Sequence, residues 1–315
     1  MPPRCLLIVN PQATRMNPSA RDELTDILAG LKLDVVDTTR RGHAAELARA
    51  ARREGYDVVL TASGDGAANE TVNGLLADGV ADDVPVFAPL PAGGTNVFAR
   101  SIGLPNRIND AARLVRDAVT AGGSRRLGLG IVGDRWFAFV CSFGLDAEIV
   151  REAERLRFGA GVRPPRMPAA AYITLLLRQR YRTDRRHPAL TFDGTGGAHG
   201  ESIFMAFVCN SAPWTFLGDR PVAPSPRASF DRGLDVLGLT SLGTLPTLRV
   251  VRQMMTARAS LTGPDVVSAE DQHDLTVRSS RPIAVQVDGD FLGMRTEATF
   301  RSVPAALPIP LLTGR

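Results

Sequence analysis

The sequence predicts an α/β protein in which a three-layer domain built on a parallel sheet is followed by a β-rich domain with helical insertions. Three observations carry this. Four strand-loop-helix units follow one another before Gly122-Gly123; their strands are apolar on both faces, as strands covered by helices on each side must be; and after those glycines the pattern changes to short alternating runs joined by turns.

The first unit is Cys5-Leu-Leu-Ile-Val-Asn10, then apolar residues at helical spacing over 21–31. Strand-like 33–38 leads into a helix over 43–55. Strand-like 56–62 leads through Ser63-Gly64-Asp65-Gly66 into a helix ending near Leu76, and 84–91 leads through Ala92-Gly93-Gly94-Thr95-Asn96 into another. Beyond Gly123, Leu127–Val132 and Trp136–Phe143 flank a Gly133-Asp134 turn. Further β-like runs fall at 188–193, 201–211, 235–241, 274–279, 283–288 and 296–301, with helices expected near 145–158, 169–182 and 244–259. The expected domains are 1–124, 125–300 and a Pro-rich tail, 301–315, packing back on the body. At roughly 150 residues per domain, 315 residues suit two domains.

Composition excludes several functions. Of 37 basic side chains only Lys32 is a lysine, and its Gly30-Leu31-Lys32-Leu33 setting is neither a Walker A loop, a protein-kinase strand nor a Schiff-base site. Any phosphate must then be held by backbone N–H groups, arginine or metal. A net charge of +4 is too small for a protein that coats nucleic acid, and the three tyrosines are not interleaved with arginines as stacking platforms would be. The four histidines show no metal-ligand spacing, and Cys5, Cys141 and Cys209 read as buried small hydrophobes. No signal peptide or run of about 18 apolar residues is present, so a cytoplasmic protein is expected.

In a parallel α/β domain, ligands bind outside the carboxyl ends of strands, where loops meet helix N-termini. Three loops qualify: Asn10-Pro11-Gln12-Ala13-Thr14, Ser63 to Gly66, and Pro91 to Asn96. Glycines let the backbone approach an anion, and the following helix offers free N–H groups. Asp65 between two glycines suits a Mg²⁺ held by a nucleotide, or a base for an attacking hydroxyl. A lone Gly-Asp-Gly is as ordinary as a turn, but three such loops at equivalent strand ends form a set.

These residues carry a resemblance. Asn10-Pro11, Ser63-Gly-Asp-Gly-Ala-Ala-Asn-Glu70 through Gly74, Gly93-Gly-Thr-Asn-Val-Phe-Ala99, Phe143-Gly-Leu-Asp-Ala147 and Asp288-Gly-Asp290 occur in the order seen in the diacylglycerol kinase catalytic-domain family. This family includes bacterial lipid kinases and sphingosine kinases and is related in fold to NAD kinases and phosphofructokinases. Pro213-Trp214 and Gly218-Asp219-Arg220-Pro221 are similar to stretches of its actinobacterial branch.

The resemblance implies an N-terminal NAD kinase/phosphofructokinase-like domain, a β-sandwich-like second domain, and transfer of phosphate from ATP, with Mg²⁺, to a lipid hydroxyl on a diacylglycerol, sphingoid base or glycolipid. It assigns the nucleotide to Asn10, Pro11, Gln12, Ala13 and Thr14, to Thr38, to Ser63, Gly64, Asp65, Gly66, Ala67, Ala68 and Asn69, and to Gly93, Gly94, Thr95 and Asn96. Asp146 corresponds to a carboxylate near the lipid headgroup, and Asp288-Gly289-Asp290 to a turn that supplies the general base. Asp65, Asp288 and Asp290 all remain candidates for that base, and a plain hairpin turn is the other reading of the last two.

The sequence also departs from the family. Ala67 replaces a Thr or other larger residue, Gly93-Gly94-Thr95-Asn96 displaces the usual hydroxyl by one position, and Asp290 is one methylene shorter than the usual Glu. Arg232 stands where bacterial members hold a structural Mg²⁺ with an aspartate, which predicts that this site is absent, since a guanidinium cannot ligate a cation. A non-catalytic nucleotide- or lipid-binding protein and a NAD kinase are the alternatives. Finally, residues 151–187 hold ten arginines against Glu152, Glu154 and Asp184, alongside the apolar stretch 169–177. An anionic membrane surface is one expected partner of that segment; leucines turned to the core beneath a solvated arginine face are the other reading.

Overall fold

The computed structural model describes residues 2–158, 183–256 and 259–312. The expected helix over 169–182, and with it most of the arginine-rich segment, lies outside the described residues. The chain divides into two compact units, one formed by 1–129 with 304–315 and the other by 130–303.

In the first unit, β1 (Arg4–Val9), β2 (Lys32–Asp37), β3 (Val58–Ser63) and β4 (Val86–Pro91) form a wholly parallel sheet in the order β2-β1-β3-β4. Val59, Leu60 and Ala62 are fully buried, so β3 has no solvent face, as a parallel strand under two helical layers requires. Helix α1 (Pro18–Leu28), capped by the Asn17 side chain on the Ala20 N–H, packs with α5 (Ile108–Ala121), while α2 (His43–Arg53) packs with α3 (Asp65–Leu75). The α2–α3 contact is close because Gly74 has no side chain: a Cβ there would lie 2.2 Å from the carbonyl oxygen of Ala45.

Chain direction turns over between β1 and β3, since the chain leaves β1 for β2 on one side and reaches β3 on the other. That switch point opens a crevice at the carboxyl ends of the two strands. The loops after β1, β3 and β4 all leave from this edge. The short α4 (Val97–Ser101) follows the last of them.

The second unit is built on antiparallel pairs, in a sheet whose residues 124–129 and 304–310 are counted with the first unit. β5 (Ser124–Val132), β6 (Arg135–Phe137) and β7 (Val140–Phe143) lead into α6 (Leu145–Phe158). Seven more strands bring the total in one sheet to ten: β8 (Leu190–Gly194), β9 (His199–Ile203), β10 (Met205–Cys209), β13 (Leu234–Leu239), β14 (Val266–Gln272), β15 (Asp274–Val287) and β16 (Asp290–Pro310). A separate hairpin joins β11 (Thr215–Leu217) to β12 (Arg220–Val222). β15 is shared: its first half pairs with β8, its last residues pair with β7, and a register irregularity against β16 lies between Arg278 and Ile283. Phe137, Phe143, Phe192, Val208, Val236, Val285 and Phe300 bury a common core from both parts of this sheet. The residues expected to form a tail continue β16 through Pro310, with Ala306, Leu307 and Ile309 fully buried.

Candidate functional site

Within the first unit, the three loops are welded to one another by backbone contacts. Asn10 N–H donates to the Ala62 carbonyl at 3.0 Å, and Thr38 N–H donates to Val9 at 2.8 Å, so the ends of β2, β1 and β3 meet. Asn10 then folds its own loop, its Oδ1 accepting from Gln12 N–H at 3.0 Å and its carbonyl from Ala13 N–H at 3.0 Å. The side chain named for nucleotide contact is therefore also the device that shapes the Pro11–Thr14 turn.

The loops after β3 and β4 touch directly. Ala92 and Gly93 N–H both donate to the Ser63 carbonyl, at 2.9 and 3.1 Å. A Cβ on Gly93 would stand 2.5 Å from the Gly64 Cα, an approach only a glycine allows, whereas around Gly94 nothing lies within 4 Å. Gly93→Ala is accordingly expected to lower stability by about 1–3 kcal/mol, with Gly94→Ala near neutral. Thermal melting of the two variants checks this contrast, and equal melting temperatures would contradict it.

Asn96, in the left-handed region at φ 52°, closes the loop: its Oδ1 accepts Gly93 N–H at 2.8 Å, and its Nδ2 donates to the Gly93 carbonyl and to Asn106 Oδ1. Arg15 adds a strut, its guanidinium reaching the Asn106 carbonyl and Oδ1 and the Gly94 carbonyl. Sequence reasoning missed Arg15 and Asn106. The only signal for Arg15 was a guanidinium directly following the Asn10–Thr14 loop.

Asp65 opens α3 with a half-buried carboxylate. Its Oδ1 accepts Phe98 N–H at 3.0 Å, and the backbone at Asn96 and Val97 also faces it. Burial pushes the Asp65 carboxyl up, and those N–H groups, the free donors of the α4 N-terminus, oppose the shift. Asp65 thus ties the two glycine loops together through the start of α4. Ser63 Oγ donates to the Gly64 carbonyl, Ala68 and Asn69 are buried in α3, and Gly66, Ala67 and Thr95 are half-buried.

In the second unit, the turn after β15 separates its two carboxylates by environment. Asp288 is buried at φ 48°, and both its oxygens are engaged: Oδ2 by Ala138 N–H at 2.7 Å, Oδ1 by Phe139 and Val140 N–H at 3.0 and 2.9 Å. Asp290 is half-buried and ion-pairs with Arg135 at 3.1 Å.

Beside this turn sits a buried polar cluster. Asp146, in the first turn of α6, accepts from Ser142 Oγ and from Gln286 Nε2, the latter at 3.1 Å. Gln286 Nε2 also reaches Ser142 Oγ at 2.8 Å, and its Oε1 accepts Gly289 N–H at 2.8 Å. One glutamine therefore couples Asp146 to the Asp288–Asp290 turn. Burial pushes Asp146 up to about 6, with the Ser142 and Gln286 hydrogen bonds opposing the shift.

Because the folded protein holds this proton more tightly than the unfolded chain, the contribution of Asp146 is greatest below about pH 4 and is lost as pH rises through about 6. Asp146→Asn should remove that slope, so that wild type loses about 3 kcal/mol relative to the variant between roughly pH 4 and 7. Parallel urea-midpoint profiles would contradict it.

Arg232 lies 3.6 Å from Glu270 and 4.0 Å from Asp271, and Arg227 lies 3.6 Å from Glu270. Asp271 Oδ1 accepts Gly233 N–H at 2.6 Å, and Asp235 accepts Asp271 N–H at 2.9 Å. Guanidinium groups of this chain thus face the carboxylates of that loop. Among the described residues, no group of three or more His, Cys, Asp or Glu side chains gathers as a metal would need.

Comparison with known proteins finds relatives over most of the chain. Residues 4–124, which contain all three loops, match the family described as diacylglycerol kinase catalytic domain. A diacylglycerol kinase of Staphylococcus aureus strain MRSA252 is 26% identical over 298 residues, covering 92% of this chain and 87% of that one. The crystal structure of a diacylglycerol kinase from Bacillus anthracis superposes with TM-score 0.71 at 17% identity, covering 98% and 96% of the two chains. An NAD kinase from Archaeoglobus fulgidus in complex with ATP shares the fold at TM-score 0.51 and 10% identity, covering 98% and 94%.

Proposed function

We propose that this chain, whose residues 4–124 match the diacylglycerol kinase catalytic domain and whose relatives include diacylglycerol kinases, transfers the γ-phosphate of ATP to the hydroxyl of a lipid. The observation that carries this is the contact between the Ser63–Gly66 and Pro91–Asn96 loops at the switch point of the parallel sheet. The contact sets the start of the eleven-residue helix α3 at the switch point, where a helix N-terminus can face a polyphosphate without any lysine. The NAD kinase of like fold, crystallised with ATP, supports the same nucleotide here.

Phosphoryl transfer needs the nucleotide positioned, charge neutralised and a carboxylate to receive the hydroxyl proton. In our reading Asn10 to Thr14, Thr38, Ser63 to Asn69 and Gly93 to Asn96 hold the nucleotide, and Asp65 fixes the two glycine loops in register. Asp290 is the base. Asp288 spends both oxygens on the 138–140 backbone and so anchors the turn, whereas Asp290 is a half-buried carboxylate oriented by Arg135. The lipid oxygen attacks the γ-phosphorus, the bond to the β-phosphate oxygen breaks, ADP leaves, and Asp290 takes the hydroxyl proton. Asp146 is the polar group beside the acceptor headgroup.

The described residues do not form a protein metal centre, because Asp65 faces backbone N–H groups instead of further carboxylates. A Mg²⁺ carried on the nucleotide would neutralise charge on its phosphates.

A panel of acceptors tests the reading. ADP release in the presence of diacylglycerol, sphingosine or a glycolipid, and none with NAD, is expected. Release with NAD alone would instead favour the NAD kinase reading, and release with none of the four the non-catalytic one.

A further inference from the structure

The amide side chain of Gln286 is 1% exposed and lies on β15 directly opposite Ser142 of β7. Its orientation is fixed by chemistry. A backbone N–H can only donate, so the atom that meets Gly289 N–H at 2.8 Å must be Oε1, and Nε2 is left to face Ser142 Oγ at 2.8 Å and Asp146 Oδ2 at 3.1 Å. Ser142 Oγ in turn donates to the same Asp146 oxygen. Ser142, Asp146 and Gln286 are all buried, so each depends on the others for its hydrogen bonds.

The other end of the amide reaches the tip of a hairpin. Val287 pairs with Asp290, which leaves Asp288 and Gly289 as a two-residue loop, both at positive φ, 48° and 89°. The N–H groups of such a loop have no partner in the strand ladder. Here both are taken, Asp288 N–H by the Val140 carbonyl at 2.8 Å and Gly289 N–H by Gln286. The tip is thus held from β7 and from Gln286, and Asp290 is the next residue. A methionine would fill the same volume in the strand, yet it would serve neither Gly289 nor Asp146.

We propose that Gln286 is a positioning residue, which ties the carboxylate of Asp146 to the tip of the Asp288–Asp290 turn so that the group beside the acceptor headgroup and the base are held in one arrangement. The inference rests on the lipid-kinase reading, which gives those two carboxylates their roles. Gln286 touches no reacting group itself. Its Nε2 is held by Ser142 and Asp146, its Oε1 sets Gly289, and Gly289 sets the start of β16 at Asp290. A headgroup that draws on Asp146 therefore reaches the turn through a single side chain.

Two variants at position 286 and one amide test this. Gln286→Met should pack at least as well as glutamine, whereas Gln286→Glu keeps an oxygen for Gly289 N–H and shares a proton with Asp146, since two carboxyls about 3 Å apart do not both ionise. With short-chain diacylglycerol as acceptor, Gln286→Met should lower kcat about tenfold to a hundredfold at unchanged KM for ATP, the cost of a misplaced group. Gln286→Glu should retain more of the wild-type kcat than Gln286→Met. A side chain that merely fills space predicts the opposite order, and that order overturns the proposal. Hydrogen exchange of the Gly289 amide, read by NMR on the full chain without nucleotide or lipid, tests the tie itself. Exchange should quicken about fivefold in Gln286→Met, the worth of one hydrogen bond, and in Asp146→Ala as well, while the other amides of β15 keep their rates. Asp146 does not touch Gly289, so unchanged Gly289 exchange in Asp146→Ala overturns the proposal, and this arm leaves residue 286 intact. A wild type without transferase activity but with the expected exchange result would sink the lipid-kinase reading and leave the tie standing.

Discussion

Asp290→Asn is expected to lower turnover about 10²–10⁴-fold, the usual worth of a positioned general base, while ATP affinity and melting temperature stay near wild type. The carboxamide keeps the shape of the side chain but cannot take a proton, and it forfeits the 3.1 Å ion pair with Arg135. That pair is partly solvated, so its loss is worth little to stability. Loss of turnover with unchanged nucleotide binding is the signature of a group acting on the acceptor hydroxyl. If ATP affinity falls by the same factor as turnover, Asp290 belongs to the nucleotide site and the assignment is wrong.

Asp288→Ala should instead fail in folding. It leaves the N–H groups of Ala138, Phe139 and Val140 buried without their acceptor, and it asks a residue with no local hydrogen bond to hold φ 48°. Unsatisfied buried donors cost about 1–3 kcal/mol each, and the loss of a buried charge from its partners falls in the range of about 3–5 kcal/mol in total. Denaturant unfolding reads this directly. A stable but inactive Asp288→Ala protein would show that Asp288, and not Asp290, faces the chemistry.

The two aspartates are equivalent in the sequence, one on each side of Gly289. What separates them is the backbone of 138–140, about 150 residues earlier in the chain, which no local pattern connects to them. The same holds for Gln286. It reads as an ordinary polar residue in a strand until β7 and β15 pair and set it between Ser142, Asp146 and the Gly289 N–H. Arg135 and Arg15 were two arginines among many.

The loops were legible because their constraint is local. A glycine at a strand end before a helix predicts close backbone approach, and Gly93 against Gly64 realises it. The parallel sheet was legible for a similar reason, since strands such as β3 are apolar on both faces. The end of β16 was not, because Pro304, Pro308 and Pro310 mark a loop in sequence and the strand accommodates them. Thr244–Thr256 reads as a helix in sequence and is one.

In the proposed reaction phosphate passes from ATP to a lipid hydroxyl with Asp290 taking the proton. The most direct measurement is the fate of label in the γ-phosphate of ATP after incubation with wild type or folded Asp290→Asn protein and an extract of cellular lipids, separated by thin-layer chromatography. Label is expected in a chloroform-soluble phosphorylated lipid with wild type, reduced at least about a hundredfold with Asp290→Asn. Label confined to water-soluble products with wild type, or equal lipid labelling by the two proteins, would contradict it.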